Sequence, residues 1–214
     1  MPPVNPGTTD LVWWYAFDEQ SGTRYDAHGD YDMTDYNTVG YESGVQGNAA
    51  DFNSSNAEYL KRAHASGLEV AGSMTICGWI TLDATGSYRV VFIKGTVNDR
   101  AFQILVHDPT NTLKWYIRNS ANTAWWSVVS GQAVTGGGFY FFAAVYDDDN
   151  DLIRIRIDDN SWVTTNNVTS HRTESTLDWT IGGKSDGTVT HEGNLDEMCR
   201  YDRMLTETET ASPH

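Results

Sequence analysis

The sequence has few cysteines and no long apolar run. It contains only Cys77 and Cys199 in 214 residues, which excludes a disulfide framework of the kind found in small secreted domains. Both lie in stretches typical of strands, and we expect two buried thiols rather than a bridge. No stretch approaches the roughly 20 apolar residues needed to span a bilayer, so we predict no membrane insertion. The first residues, MPPVNPGTTD, lack a basic region followed by an apolar one, so no signal peptide is expected.

Positive charge is also scarce. The chain has 14 Lys and Arg against 29 Asp and Glu, a formal net charge of −15 at pH 7. A chain this acidic repels a phosphate backbone, and nucleic acid is therefore not an expected partner. The acidic surface suits solubility and cation binding, and a solvated acidic face is the simpler interpretation.

Signals of catalysis are missing too. No Gly-rich phosphate loop leads from a strand into a helix, no Gly-x-Ser-x-Gly motif occurs, and the six His residues show no ligand spacing. The adjacent acids Asp196 and Glu197 lie in a strand-like stretch, GNLDEMCRYDRML (193–205). Neighbours on a regular strand point to opposite faces, whereas a glycosidase needs two carboxyl groups that face one substrate. We therefore predict no catalytic residue and a protein that is not an enzyme.

Aromatic residues and glycine are abundant instead, with 8 Trp, 11 Tyr, 7 Phe and 19 Gly. Short β-branched and aromatic runs between turns predict an all-β fold. Hairpin turns are predicted at DPTN and DDDND, and residues 21–38 read as a long loop. Strict alternation in LIRIRID (152–158) predicts a strand with one face buried in the core and the other exposed to solvent. About a dozen such runs fit a two-layer antiparallel β-sandwich of the jelly-roll type.

Six motifs in order resemble the LamG-like domains of the concanavalin A-like lectin and glucanase superfamily. They are LVWWYAFDEQSGT (11–23), AADFNSSNAEYL (49–60), SMTICGWITL (73–82), FYFFAAVYDDDNDLIRIRIDD (139–159), WTIGG (179–183) and GNLDEMCRYDRMLTETE (193–209). The similarity runs from about Leu11 to Glu209. We therefore predict an N-terminal arm (1–10), one LamG-like sandwich domain (11–209) and a C-terminal tail (210–214).

The resemblance also implies a cation site. In the family, the turn after the first strand, a Phe-Asp/Asn turn and the Asp of the last strand converge on a cation. The matching positions here are Asp18, Asn53 and Asp196. Calcium prefers such oxygen ligands. The alternative is that the three are turn-forming residues that bind no metal, and the sequence leaves both open.

Two Trp pairs suggest a ligand surface. One member of each pair, Trp13–Trp14 and Trp125–Trp126, must face away from the core if both lie on strands. The family buries its opening strand, so we expect the first pair in the core or at an interface. The second pair lies near a loop, and Trp125 and Trp126 are the predicted ligand-binding residues, with an exposed ring as a flat apolar plate for a sugar. Core packing or a protein interface is the alternative.

Two functions follow from these observations. The first is a non-catalytic structural or adhesion protein on the exterior of a virus particle, as capsid decoration or in a tail. We favour this role because one domain makes up nearly the whole chain and no export signal is expected. The protein would contact other subunits of the assembly, with host glycans as a further candidate partner. The second is a calcium-dependent glycan-binding module of a secreted or cell-surface protein. Both place the chain in a virion or outside the cell.

Overall fold

Short runs of apolar and β-branched residues, separated by polar turns, form strands along the described part of the chain. The computed structural model describes residues 7–96, 99–173 and 176–211. Two short 3₁₀ helices lie at Ser54–Asn56 and Ser66–Leu68. The strands are β1 (Leu11–Tyr15), β2 (Thr34–Tyr36), β3 (Gly40–Ser43), β4 (Asn48–Phe52), β5 (Tyr59–Arg62), β6 (Met74–Ile80), β7 (Arg89–Gly95), β8 (Arg100–His107), β9 (Thr112–Arg118), β10 (Trp125–Ala133), β11 (Tyr140–Asp147), β12 (Leu152–Ile157), β13 (Val163–Asn166), β14 (Trp179–Ile181) and β15 (Gly193–Tyr201).

These strands form two antiparallel sheets. The eight-stranded sheet has the order β13-β12-β11-β6-β15-β4-β3, and β1 pairs with the C-terminal part of β15. The seven-stranded sheet has the order β10-β9-β8-β7-β14-β5-β2. The first and last strands therefore meet in one sheet. This confirms the predicted two-layer antiparallel sandwich of the jelly-roll type.

The core lies between the two sheets. Ile153, Ile155 and Ile157 of β12 are buried there, as the alternation predicts. The other face is not solvent-exposed along its whole length, because Arg156 is buried beneath contacts to Trp162 and the C-terminal segment. Trp13 and Trp179 also lie in the core, with edge-to-face rings 6.3 Å apart. Each fully buried apolar side chain of this size contributes about 1.5–3 kcal/mol. Both predicted hairpins are present, between β8 and β9 and between β11 and β12.

Three strands differ from the prediction. The segment 21–38 contains β2 and an isolated bridge between Arg24 and Met33, and β3 and β13 lie in stretches without a strand signal. All three strands are sheet edges and carry mainly polar residues. An edge strand is held by hydrogen bonds to a neighbour that is distant in sequence, so its own residue pattern is weak.

The predicted buried thiols are confirmed. Cys77 and Cys199 are free, buried and directly opposite one another on β6 and β15. Of the predicted arm and tail, residues 1–6 and 212–214 lie outside the described residues. At the start of the tail, the Thr210 N–H donates to the Thr206 carbonyl at 3.1 Å, which closes a single helical turn. Across the described ranges, no helix has the length and apolar character required to cross a membrane.

Candidate functional site

A groove on the outer face of the seven-stranded sheet is the first candidate site. The side chains of β8 and β9 alternate, so that Phe102 and Trp115 lie in the core and their neighbours face outward. The outward side chains border a groove of about 360 Å³. We call it the sheet groove, and its aromatic and polar lining consists of Tyr88, Arg100, Gln103, Tyr116, Trp125 and Lys184. Its volume lies within the range of small-molecule sites, about 300–1,000 Å³.

Trp125 is half-buried in this groove, and two guanidinium groups pack against its indole ring. Tyr116 packs edge-on against it, with ring centroids 6.0 Å apart. Arg118, directly opposite on β9, places its guanidinium carbon 4.5 Å from the Trp125 ring centroid, and that of Arg100 lies at 5.2 Å. Cation–π attraction holds both guanidinium groups beside the indole. The indole ring of Trp125 is therefore flanked by positive charge. The sequence predicts an apolar ring without charged neighbours.

Trp126 lies on the opposite face of the sheet. It is partly buried and packs against the main core, because consecutive residues of β10 alternate in direction. Only Trp125 of the predicted pair lines the sheet groove. The assignment of Trp126 to a ligand surface is thus replaced by the packing alternative. The first pair divides in the same way, with Trp13 in the core and Trp14 half-buried on the outer side.

The turn between β3 and β4 forms a second candidate site. Asp18 Oδ1 accepts a hydrogen bond from the Asn48 backbone N–H at 2.8 Å, and the Asn48 side-chain amide donates to the Asp18 carbonyl at 2.8 Å. Asp196 Oδ2 accepts from the Val45 N–H at 2.6 Å. We call the two carboxylates together with residues 44–48 the turn site. It brings together two of the three predicted metal ligands.

Two glycines give the carboxylates access to this turn. A Cβ atom added to Gly44 would lie 2.5 Å from Asp196 Oδ2 and 2.6 Å from the Asn48 carbonyl oxygen. A Cβ atom added to Gly47 would overlap Asp18 Oδ1, and the φ of Gly47 is +64°. The carboxylate of Asp196 and the carbonyl of Asn48 thus approach one point, and side chains at these glycines would fill the space.

The electrostatics of Asp196 fit a bound cation. Its side chain is fully buried, and burial raises its pKa to about 7, with the nearby Asp18 carboxylate adding to the rise. Within the described part of the chain, Asp196 Oδ1 has no hydrogen-bond partner. Calcium takes carboxylate and carbonyl oxygens, which are the donors present here. The described residues contain no group of three or more acidic, His or Cys side chains able to hold a metal, so backbone carbonyls and water would have to complete the coordination.

Asn53 lies away from the turn site. Its Oδ1 accepts from the Ser55 N–H at 2.9 Å and caps the first 3₁₀ helix, and its own N–H donates to Glu58 Oε2 at 2.7 Å. At about 3.3 Å per residue, β4 separates it from Asn48 by about 16 Å. Asn53 does not join Asp18 and Asp196, so the predicted three-residue set is wrong at this position. The alternative, a turn-forming residue, describes Asn53.

Glu197 breaks the regular strand assumed from the sequence. Its φ is +48°, and the register of β15 against β6 shifts between Asp196 and Cys199, so a bulge replaces simple alternation. Glu197 Oε2 accepts from Trp14 Nε1 at 2.6 Å, and burial raises the pKa of Glu197 to about 8. The two adjacent acids therefore have different partners, the β3–β4 turn for Asp196 and an indole for Glu197.

Sequence reasoning did not assign the cations of the sheet groove. A signal was available, because Lys114, Tyr116 and Arg118 recur at every second position of β9 and must share a face. The neighbouring Arg100 and Lys184 come from β8 and from the loop after β14. Their meeting with Trp125 depends on strand order, which the sequence pattern does not specify.

Two packed antiparallel sheets in which the first and last strands pair define a jelly-roll sandwich. The family model described as the Concanavalin A-like lectin/glucanases superfamily (Laminin_G_3) matches residues 53–211. The chain belongs to this superfamily, which confirms the resemblance in the sequence.

Solved structures show the same fold. Domain 4 of AbnA, an extracellular GH43 arabinanase from Geobacillus stearothermophilus solved with arabinotriose, has a TM-score of 0.73 and 16% identity, covering 94% of this chain and 96% of that one. The binding domain of Paraclostridial Mosquitocidal Protein 1 has a TM-score of 0.70 and 12% identity, covering 94% and 51%. Trypanosoma rangeli sialidase, solved with the inhibitor DANA, has a TM-score of 0.71 and 14% identity, covering 97% and 33%. None of the curated proteins matches the sequence.

Proposed function

We propose that the protein is a non-catalytic carbohydrate-binding module that binds a saccharide in the sheet groove and acts outside the cell. The observation that carries this proposal is the arrangement of Trp125 and Tyr116 beside Gln103 on the outer face of a rigid sheet. Saccharide sites combine aromatic rings, which contact the apolar face of a sugar, with a few fixed polar groups that orient its hydroxyls. Sites built on strands hold such groups more accurately than sites on loops.

The comparisons support this proposal at the level of the fold. The arabinanase domain was solved with arabinotriose, and the mosquitocidal domain is described as a binding domain. Those ligands and roles belong to those proteins. For the present chain, the binding residues are argued from its own groove.

We further propose that the turn site binds calcium through Asp18 and Asp196. A bound cation would neutralise the buried carboxylate of Asp196 and stabilise the turn between β3 and β4 against β1. The turn site shares no residue with the lining of the sheet groove. We therefore assign calcium a stabilising role and expect saccharide contact to depend on the groove residues.

A glycan array followed by calorimetry tests the saccharide proposal. We expect Trp125→Ala to weaken binding of the best array ligand by about tenfold or more, because stacking contacts of this kind contribute about 1–2 kcal/mol. Trp162→Ala is a matched control. It is also half-buried beneath two guanidinium groups, those of Arg154 at 4.3 Å and Arg156 at 4.8 Å, but lies on the other sheet. Equal losses in both variants, or no binding to any glycan, would contradict the proposal.

A structural subunit on the exterior of a virus particle is the second candidate. The outer side of the eight-stranded sheet carries a separate aromatic cluster with Trp14, Phe139 and Trp162 at its half-buried margin, a composition typical of protein interfaces. This role stays a prediction. Light scattering of the purified chain and mass spectrometry of purified particles test it. A strict monomer that is absent from particles would contradict it.

A further inference from the structure

We infer that the sheet groove selects an acidic saccharide, one carrying carboxylate or sulfate groups, over a neutral one. This inference rests on the proposed function and narrows its ligand class. The observation is a local excess of positive charge in an acidic protein. Of 14 basic residues in a chain with 29 acids, four meet at this groove: Arg100, Lys114, Arg118 and Lys184.

Three of the four cations, Arg100, Lys114 and Arg118, pack against aromatic rings of the groove. Arg100 and Lys184 border the groove directly. Arg118 lies over the ring of Trp125 at 4.5 Å, and Lys114 Nζ lies 4.7 Å from the ring centroid of Tyr116. All four side chains are half-buried rather than extended into solvent. Their positions are thus partly set before a ligand arrives, which lowers the entropic cost of binding.

Direct ion pairs to these cations are missing from the part of the chain that the structure describes. Among residues 7–96, 99–173 and 176–211, none of the four forms an ion pair, whereas Lys61 on the same sheet lies 2.7 Å from Asp178. The described residues that line the groove include no carboxylate. Asp99 lies near Arg118 but is paired with Arg172. Asp186 attracts Lys184 through space without a direct ion pair and accepts the Thr188 hydroxyl at 2.7 Å.

The cations also repel one another. Burial and the neighbouring Arg118 lower the pKa of Arg100, and burial and Arg100 lower the pKa of Lys184. An anionic ligand would offset the repulsion between the cations, and guanidinium groups bind carboxylate and sulfate oxygens through charge-assisted hydrogen bonds. A neutral sugar would leave the repulsion unchanged.

The same charges favour a short saccharide over nucleic acid. The rest of the surface is strongly acidic, so a long polyanion would be repelled once it extended beyond the groove. An oligosaccharide with a few charged groups fits within it.

An array of uronate-bearing, sialylated, sulfated and neutral oligosaccharides tests the inference with the full chain. Calorimetry then compares trigalacturonate with its methyl ester, and a carrageenan-derived tetrasaccharide, which carries sulfate but no carboxylate, with its desulfated form. These two pairs distinguish carboxylate from sulfate. We expect a charged member to bind about tenfold or more tightly than its neutral counterpart, with affinity falling as NaCl rises from about 50 mM to about 500 mM.

Substitutions test whether the groove cations cause the preference for charged ligands. Arg100→Gln with Lys184→Gln is expected to lower affinity for the charged ligand about tenfold or more, while Arg100→Lys retains most of it. Lys61→Gln is the control, because it removes one charge from the same sheet outside the groove. If the double variant does not fold, Lys184→Gln alone replaces it in the test, because Lys184 lies in the loop after β14 and not in a strand.

Three results would overturn the inference. The first is equal affinity for the charged and neutral forms of a ligand, with both affinities reduced in Trp125→Ala. The proposed carbohydrate-binding function would then remain, with a neutral saccharide as the ligand. The second is tighter binding of a single-stranded oligonucleotide than of any charged saccharide, which would make nucleic acid the ligand of the groove. Absence of binding to any glycan would overturn both this inference and the proposed function.

Discussion

Asp18 and Asp196, from the two ends of the fold, both accept backbone hydrogen bonds from the single turn between β3 and β4. Asp18 receives the N–H of Asn48, and Asp196 receives that of Val45. The contact joins the segment after β1 to the last strand through a third, intervening piece of chain. A cation at this point would strengthen that junction, because it would attract both carboxylates at once.

Calcium is therefore expected to raise the thermal stability of the protein. At 100 times the dissociation constant, one bound ion adds about 2.7 kcal/mol, which corresponds to a rise in Tm of about 5–10 °C. Asp196→Asn should abolish most of this rise, and Asp18→Asn should reduce it. Differential scanning calorimetry with calcium and with EGTA measures both.

Asn53→Ala is the control for the calcium response. It removes a 3₁₀-helix cap at the far end of β4, which lowers the basal Tm but should leave the calcium-induced increment unchanged. A response equal in the wild type and in Asp196→Asn would contradict the turn site.

Gly47→Ala should both destabilise the fold and weaken the calcium response. The added Cβ would overlap Asp18 Oδ1, at a φ of +64° that favours glycine. Gly22→Ala is the control. Its φ of +75° gives a similar backbone strain, but nothing lies within 4 Å of the added Cβ. We expect about 1 kcal/mol of strain in both and a reduced calcium-induced rise in Tm only in Gly47→Ala. An unchanged calcium response in both variants would count against a cation beside Asp18.

The two Trp residues of β10 should differ in their effect on stability. Trp126→Ala removes a ring packed against the core and is expected to cost about 2–3 kcal/mol, whereas Trp125→Ala should cost about 1 kcal/mol or less. Urea denaturation followed by circular dichroism measures both changes. A larger loss for Trp125 than for Trp126 would show that their positions are exchanged.

His191 is expected to make the fold sensitive to acid. Its ring is fully buried, Nε2 lies 3.0 Å from the Thr81 carbonyl oxygen, and burial lowers its pKa to about 4. The unfolded chain binds this proton near pH 6.5, whereas the folded chain does not do so until about pH 4. The free energy of unfolding should therefore fall as pH drops from about 6.5 to about 4, by an amount on the order of 3 kcal/mol.

His191→Gln isolates this effect, because glutamine keeps a hydrogen-bond donor but does not titrate. We expect the variant to be less stable than the wild type at pH 7 and to lose less stability between pH 6.5 and pH 4. Urea denaturation at several pH values measures this. Parallel pH profiles for the two proteins would show that His191 does not cause the acid sensitivity.

The sandwich could be predicted because its central strands carry their own signal. In β12, three isoleucines at alternate positions face the core, and the same pattern recurs in β8 and β9. The edge strands β2, β3 and β13 carry no such pattern, since their residues are mostly polar and their pairing depends on a partner.

The candidate sites divide in the same way. The sequence identified Trp125, Asp18 and Asp196 as residues of interest, but it could not separate Trp126 or Asn53 from them. Nor could it place Arg100 and Lys184 beside the indole. A single bulge at Glu197 was enough to invalidate the regular alternation assumed for the last strand.

The sequence by itself determined that this chain is an acidic, aromatic-rich antiparallel sandwich, because alternation and turn chemistry act over a few neighbouring residues. Only the tertiary structure decided which polar groups meet, because strand order joins residues that lie far apart in the chain. The turn beside Asp18 and Asp196, and the cations around Trp125, are products of that order.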